Sequence, residues 1–253
     1  MVAKHARDIH GLRRANQATA RLLAELAAIA QPGITTAALD AYAASTIHRL
    51  GAEPVFRTQN GFPGCINTSV NDEAVHGVPG ARVLRAGDLL KIDCGLRLGG
   101  YCGDSTITIA VGPDERLPAS RRVVMEIARE ALGRGIAAVR VGGTAGDIGH
   151  AMETFVTARG YRLLREYAGH GLGRRLWEPP SIPAVGRPGT GASIVNGLVF
   201  TIEPIVVGPG AMTTVDGDGW TVRTEDGTPA AQFEHTVMAT RSGVEILSQL
   251  PVA

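Results

Sequence analysis

Four short apolar stretches each enclose one acid: Lys-Ile-Asp93-Cys, Cys-Gly-Asp104-Ser-Thr, Phe-Thr-Ile-Glu203-Pro and Gln-Phe-Glu234-His-Thr. Taken singly, each acid fits a solvent-facing position on a half-exposed strand. Their recurrence among Ile, Phe and Val points elsewhere, because an ionised carboxylate in a strand interior is costly unless it is paired or coordinated. Four such groups brought together without counter-charge would repel and take up protons, whereas two divalent cations neutralise four negative charges. Side-chain parity places Cys102 and Thr106 beside Asp104, Thr201 and Ile205 beside Glu203, and Gln232 and Thr236 beside Glu234, so no Lys or Arg is expected on the faces that carry the acids. The threonine hydroxyls are the expected hydrogen-bond partners of the carboxylates.

Two histidines join this set. His170 lies in Gly169-His-Gly-Leu-Gly173, where glycines let backbone crowd a ligand or metal. His76 stands in the polar, turn-rich segment Val-Asn-Asp-Glu-Ala-Val-His76-Gly-Val-Pro. His5, His10, His48 and His150 fall on predicted helices and read as structural. His235 directly follows Glu234 and points to the opposite face of its strand.

The elements that must position these residues follow from periodicity. Ile9, Leu12, Leu22, Leu23, Leu26 and Ile29 recur at helical spacing over Asp8 to Ala30, and Gln31-Pro32-Gly33 ends the pattern. Thr35 or Thr36 caps a second helix with a stripe of Leu39, Tyr42, Ala43, Ile47 and Leu50, and Gly51 terminates it. The same grammar returns as a helix from Ala119 to Val139, a Gly142-Gly143 break, a Thr144 cap, a stripe of Ile148, Met152, Phe155 and Val156, and Gly160. The pairs Gly33/Gly142, Thr35/Thr144, Leu39/Ile148, Ile47/Val156 and Gly51/Gly160 share one spacing, as an internal duplication would produce. Strands are predicted over Asp88 to Cys94, Gly100 to Val111, Leu198 to Val207 and Gln232 to Ala239, in a mostly antiparallel sheet. A hairpin through Leu96 to Gly100 would set Asp93 and Asp104 facing each other on neighbouring strands.

Composition narrows the classes. The chain has 253 residues with 44% hydrophobic content, enough for one substantial core, so residues 1–253 are expected to form one domain. Its 25 basic and 24 acidic residues leave a net charge of +1, which favours neither nucleic acid nor an anionic membrane. No stretch has the length or apolarity of a membrane span, and the start of the chain is an amphipathic helix pattern rather than a leader, so a cytoplasmic protein is expected. Cys65, Cys94 and Cys102 have no metal or redox spacing and read as buried free thiols.

At these residues the chain resembles the type I methionine aminopeptidases. The matching segments are Asn-Gly-Phe-Pro-Gly (60–64), Ser-Val-Asn-Asp-Glu-Ala-Val-His-Gly-Val-Pro (69–79), Ile-Asp-Cys-Gly (92–95), Gly-Asp-Ser-Thr (103–106), Gly-His-Gly-Leu-Gly-Arg (169–174), Phe-Thr-Ile-Glu-Pro (200–204), Asp-Gly-Trp-Thr-Val-Arg-Thr (218–224) and Ala-Gln-Phe-Glu-His-Thr (231–236). The resemblance implies the pita-bread fold, an α/β (α+β) arrangement of two pseudo-symmetric halves with a curved, mostly antiparallel sheet backed by helices. The short amino terminus looks like the version without an added domain. The resemblance further implies that Asp93, Asp104, His170, Glu203 and Glu234 hold two divalent ions, that His76 contacts the scissile amide and that Glu203 shuttles a proton. Phe62 and Trp220 occupy positions like those of an apolar methionine pocket. A ligand set of carboxylates and one imidazole suits Mn, Fe, Co or Zn. The implied substrates are amino termini of peptides or nascent proteins, handled by a monomer, with ribosome association left open.

The pattern breaks where substrate is recognised. Trp177 stands where the family has a second histidine, Leu176 where an aromatic is common, Asn67 where a small residue is frequent and Gln59 where tyrosine is usual. Three readings follow: a working aminopeptidase of altered or narrowed specificity, a metal-bound relative repurposed for binding, regulation or another amide-like reaction, and a peptidase acting on proline peptides. The complete ligand set favours the first. Trp177 itself is expected either in the substrate space, donating its indole N–H, or packed away in the core.

Overall fold

Leu22, Leu23 and Leu26 line one face of helix α1 (Ala6–Ile29), and Leu39, Ala43 and Ile47 line one face of α2 (Thr36–Arg49). The computed structural model describes residues 1–249, apart from the side chains of Gln59 and Asn60. After the two helices come β1 (Glu53–Pro54), α3 (Val55–Asn60), β2 (Ile66–Val70), β3 (Glu73–Val75), β4 (Leu89–Leu98) and β5 (Tyr101–Ala110). Strand β4 pairs antiparallel with β1 and β2 on one edge and with β5 on the other. The apolar faces of α1 and α2 pack on Ile66, Val70, Leu90, Ile92 and Leu96 of this sheet. Each aliphatic side chain buried there contributes about 1.5–3 kcal/mol.

The second half repeats the plan with α4 (Ala119–Ala137) and α5 (Ala145–Thr157), followed by β6 (Arg162–Leu163), β7 (Ala168–Gly171), β8 (Glu178–Pro183), β9 (Val199–Ile202), β10 (Ile205–Val207), β11 (Thr213–Val215), β12 (Val222–Thr224), β13 (Ala231–Gln232), β14 (His235–Thr240) and β15 (Gly243–Ile246). The order β7-β9-β14 stands to α4 and α5 as β2-β4-β5 stands to α1 and α2. Thr35 accepts from the Ala38 N–H at 3.2 Å, and Thr144 accepts from the Asp147 N–H at 3.3 Å. The two caps thus occupy corresponding positions, as the shared spacing in the sequence predicts. In this half, Val124, Ile127, Ile148 and Met152 pack on Phe200, Ile202 and Val237.

The halves meet along the free edge of β5, through side chains more than through a regular ladder. The Ser105 hydroxyl donates to Glu234 O at 2.6 Å, the Thr236 hydroxyl to Asp104 O at 2.8 Å, and the Thr108 hydroxyl to Gln232 O, while Glu234 N donates to Thr106 O at 2.9 Å. Hydroxyl-bearing residues on this edge therefore act as the seam between the two halves.

Two predicted strands are broken at their glutamates. Leu198 to Val207 divides into β9 and β10 around Glu203-Pro204, and Gln232 to Ala239 begins as β13, stops at Phe233-Glu234 and resumes as β14. Pro204 has no N–H to give to a ladder. The two breaks face each other, since His235 pairs with Ile202 and Gln232 with Ile205. Here the chains pass from the five-stranded sheet β15-β14-β9-β7-β8 into the sheet β13-β10-β6. The predicted curved sheet is accordingly assembled from separate hydrogen-bonded pieces, and both glutamates project at the bends.

Candidate metal centre and active site

The Gly99-Gly100 turn joins β4 to β5, with Leu98 opposite Tyr101 and φ of 59° and 82° at the two glycines, the geometry a two-residue hairpin demands. It sets the register. Asp93 lies opposite Thr106 and Asp104 opposite Gly95, so the two aspartates are offset diagonally by two residues rather than directly opposed. Gly95 makes this possible, because a Cβ there would lie 3.2 Å from Asp104 Oδ1 and 2.6 Å from Val55 Cγ2.

The five residues converge on one cavity of about 230 Å³ that is lined by Asn67, His76, Asp93, Asp104, His170, Trp177, Glu203 and Glu234 among others. Asp104, His170 and Glu234 each bring one donor atom to within 4.8 Å of the other two. His170 Nε2 is 3.5 Å from Asp104 Oδ2 and 3.8 Å from Glu203 Oε1. Its Nδ1 lies 3.1 Å from the Gly171 carbonyl, which can only accept, so Nδ1 carries a hydrogen and Nε2 is the nitrogen that faces the carboxylates. Thr201 is shared between two of these groups: it accepts from His170 N at 3.0 Å and donates to Glu203 Oε1 at 2.8 Å. Thr106 donates to Glu234 Oε2 at 2.7 Å. Two of the predicted threonine partners thus bind carboxylates, whereas Thr236 bonds to the Asp104 backbone instead.

This site is electrostatically incomplete as protein alone. Asp93 Oδ1 and Asp104 Oδ1 are buried with no hydrogen-bond partner. Burial pushes the Asp104 and Glu203 carboxyls up to about 8. Burial, reinforced by the neighbouring Asp104 carboxylate, raises Asp93 and Glu234 well above the ordinary carboxylate range. The expectation that no cation shares these faces is corrected at Lys91, two residues before Asp93 and fully buried. Its ammonium does not serve the acids, because Nζ donates to Asn71 O at 2.8 Å and Ala230 O at 2.9 Å, and burial lowers its pKa to about 7. Buried acids with orphaned oxygens and a neighbouring imidazole nitrogen make a donor set that fits divalent cations.

Around the acids the remaining candidates fall into three groups. His76 has φ of 58°, a left-handed conformation that costs a non-glycine residue about 1 kcal/mol or more and is found where a site needs it. Its ring meets Tyr167 edge-on at 5.6 Å, and burial lowers its pKa, favouring the neutral imidazole. Phe62 and Trp220 form an edge-to-face pair at 5.3 Å, and both line the cavity together with Phe56 and Val75. Asp218 holds the Trp220 turn by accepting from the N–H groups of Trp220 and Thr221, both at 2.8 Å.

Of the divergent positions, Asn67 lies opposite Asp93 on β2 and lines the cavity. Trp177 is 51% exposed at the cavity, its ring edge-to-face with His170 at 6.4 Å, so it is not a core residue. Leu176 is the residue packed inside: it is 0% exposed, in a cluster with Phe62, Leu172 and Val199, and is not among the lining residues. The side chain of Gln59 lies outside the described residues. Tyr167, Glu166, Phe56 and Val75 also line the cavity although sequence reasoning passed over them. Val75 and Tyr167 could have been suspected from their places just before His76 and His170, but nothing in the sequence distinguishes Phe56 from an ordinary core aromatic. The three cysteines are buried and form no disulfide, and no described helix is long and apolar enough to cross a membrane.

Comparison with known proteins agrees with this geometry. The profile of Metallopeptidase family M24 matches residues 10–241. The chain is 39% identical over 250 residues to methionine aminopeptidase 1 of Bacillus subtilis, covering 99% of this chain and 100% of that one. It is 37% identical to a methionine aminopeptidase of Clostridium acetobutylicum, covering 98% of each. Among solved structures, a methionine aminopeptidase from Rickettsia prowazekii superposes with a TM-score of 0.93 at 34% identity, covering 98% of this chain and 100% of that chain. With the profile, the relatives and the pita-bread architecture in agreement, the chain belongs to metallopeptidase family M24.

Proposed function

We propose that this protein removes the amino-terminal methionine from peptides and nascent proteins, using two divalent ions held by Asp93, Asp104, His170, Glu203 and Glu234. The observation that carries this reading is the convergence of these five side chains on one cavity with Asp93 Oδ1 and Asp104 Oδ1 buried and unpaired. Mn, Fe, Co and Zn all suit the donor set. When bound, such ions supply positive charge that lowers the pKa of water to near neutrality.

The chain's own residues do the rest. Glu203, its Oε1 oriented by the Thr201 hydroxyl, takes a proton from water and returns it to the departing amine. His76, which lines the same cavity, meets the scissile amide. Phe62, Phe56, Val75 and Trp220 receive the methionine side chain. Trp177, where relatives of this kind have a histidine, donates through its indole N–H but can neither accept nor carry charge. Its bulk beside His170 restricts the second residue of the substrate to small side chains such as Gly, Ala or Ser. A monomer acting in the cytoplasm, with or without ribosome contact, accords with this role.

The test is to load the purified protein anaerobically with each of the four metals and measure free methionine released from peptides differing in their second residue. Release from Met-Gly, Met-Ala and Met-Ser peptides, abolished by chelation, is the expected result. A folded protein that releases no methionine with any metal overturns the reading.

A further inference from the structure

Trp177 belongs to the segment 172–178, which is anchored away from the metal ligands. Arg174 reaches out of this segment to the opposite half of the molecule. Its Nη2 donates to the Tyr101 hydroxyl at 2.8 Å, and that hydroxyl donates to Asp8 Oδ1 at 2.6 Å. The same Nη2 lies 3.4 Å from Asp8 Oδ1, and the guanidinium carbon sits 4.4 Å from the centroid of the Tyr101 ring. Asp8 and Tyr101 are buried although both are polar, and each is satisfied by the other. Next to Trp177, Glu178 Oε1 accepts from the N–H groups of Arg174 at 2.9 Å and Arg175 at 3.2 Å, while Cys102 N donates to Gly173 O at 2.8 Å. Leu176 is buried beneath. The exposed Trp177 ring is thus carried on a backbone held at its Arg174 end by helix α1 and strand β5.

We propose that Asp8, Tyr101 and Arg174 form a latch between α1, β5 and this segment, and that the latch positions Trp177 and thereby sets how strictly the cavity excludes larger second residues. The inference rests on the specificity assigned to Trp177 above. A bulky side chain excludes substrate only if it cannot swing aside, and Trp177 has little packing of its own to hold it. The rigidity must come from its backbone, and hence from groups that never touch the substrate. Asp8, Tyr101 and Arg174 are positioning residues in this sense. The arrangement spans both halves of the fold, since Asp8 and Tyr101 come from the first half and Arg174 from the second.

Tyr101→Phe removes the bridging hydroxyl and keeps the ring beneath Arg174. The chain has two tryptophans, so in a Trp220→Phe background fluorescence anisotropy reports Trp177 alone. In that background Tyr101→Phe is expected to lower the anisotropy. In the otherwise wild-type enzyme it is expected to reduce the kcat/KM ratio of a Met-Gly over a Met-Val peptide by about three- to tenfold, the effect of losing one ordinary hydrogen bond. Metal content should stay the same, which separates this from general damage to the site. Asp8→Asn, which keeps an acceptor for Tyr101 but loses the charge facing Arg174, should shift both readouts in the same direction by less, and serves as the test if Tyr101→Phe does not fold. Unchanged anisotropy, or an unchanged ratio, in a folded and metal-replete variant overturns the latch. Trp177→Ala then locates the failure: if it alters the ratio, only the latch is wrong, and if it does not, the specificity reading of Trp177 falls as well.

Discussion

Thr106 and Glu234 are joined twice across the seam between the halves: the Thr106 hydroxyl donates to Glu234 Oε2 at 2.7 Å, and Glu234 N donates to Thr106 O at 2.9 Å. One residue thereby fixes both the backbone and the carboxylate of another that is 128 positions away. It lies directly opposite Asp93 in the β4–β5 ladder, so the same strand position orders acids from both halves.

Thr106→Val preserves shape and removes the donor, leaving Glu234 Oε2 unheld. We expect the fold to persist and metal affinity to fall about 10- to 100-fold, as is typical when a hydrogen bond to a ligating group is lost. Calorimetric titration of the metal-free protein with Mn or Co measures this directly. Wild-type affinity in the variant would show that the seam alone places Glu234.

Glu203→Gln retains the hydrogen bond from Thr201 to the side-chain oxygen but cannot carry a proton. Turnover of a Met-Ala-Ser peptide should drop by about 10²- to 10⁴-fold with KM little changed. His76→Ala should likewise lower kcat more than it raises KM. Steady-state kinetics on metal-replete protein decides both, and a wild-type rate in Glu203→Gln would assign the proton transfer to another group.

Metal removal should make stability depend on pH in a defined direction. Asp104 and Glu203 are raised to about 8 in the folded, metal-free protein, and Asp93 and Glu234 are raised as well. Acids whose folded pKa exceeds the unfolded value of about 4 contribute stability that is fully present below pH 4 and is lost as pH rises through 8. Bound cations reverse this by favouring the ionised form. The difference in Tm between metal-loaded and metal-free protein should therefore widen from pH 5 to pH 8. At a metal concentration about 100-fold above Kd, binding contributes about 2.7 kcal/mol, or roughly 5–11 °C for a chain of this size. Differential scanning fluorimetry across that range suffices, and a gap that narrows with rising pH would contradict the assignment.

Trp177→His restores an imidazole beside His170 and removes bulk from the cavity. A positioned donor to a developing oxyanion is worth about a hundred- to a thousandfold in rate, which sets the upper limit of the gain. We expect kcat on a Met-Ala-Ser peptide to rise by about tenfold or more and larger second residues to be accepted. Unchanged or reduced activity in a folded variant would mean that Trp177 replaces the lost histidine without cost.

The helices, their caps at Thr35 and Thr144, the duplication and the identity of the acids are legible from the amino-acid order, because each depends on periodicity or on chemistry within a few residues. Isolated carboxylates among Ile and Phe announce a counter-charge wherever they end up in space. Other features were settled only by packing. The diagonal offset of Asp93 and Asp104 depends on a hairpin register in which a glycine happens to face Asp104. The strand breaks at Glu203 and Glu234 arise where chains change sheets, which no alternation pattern encodes. Leu176 and Trp177 are adjacent apolar residues that a sequence cannot tell apart, yet one is sealed in the core and the other stands at the cavity. Lys91 shares the parity of Asp93, and only the carbonyls of Asn71 and Ala230, both distant in the chain, explain why its ammonium is directed elsewhere. Local order thus determined which residues could bind metal. Long-range packing of the two halves decided how those residues meet, because the contacts that orient them join positions far apart in the chain.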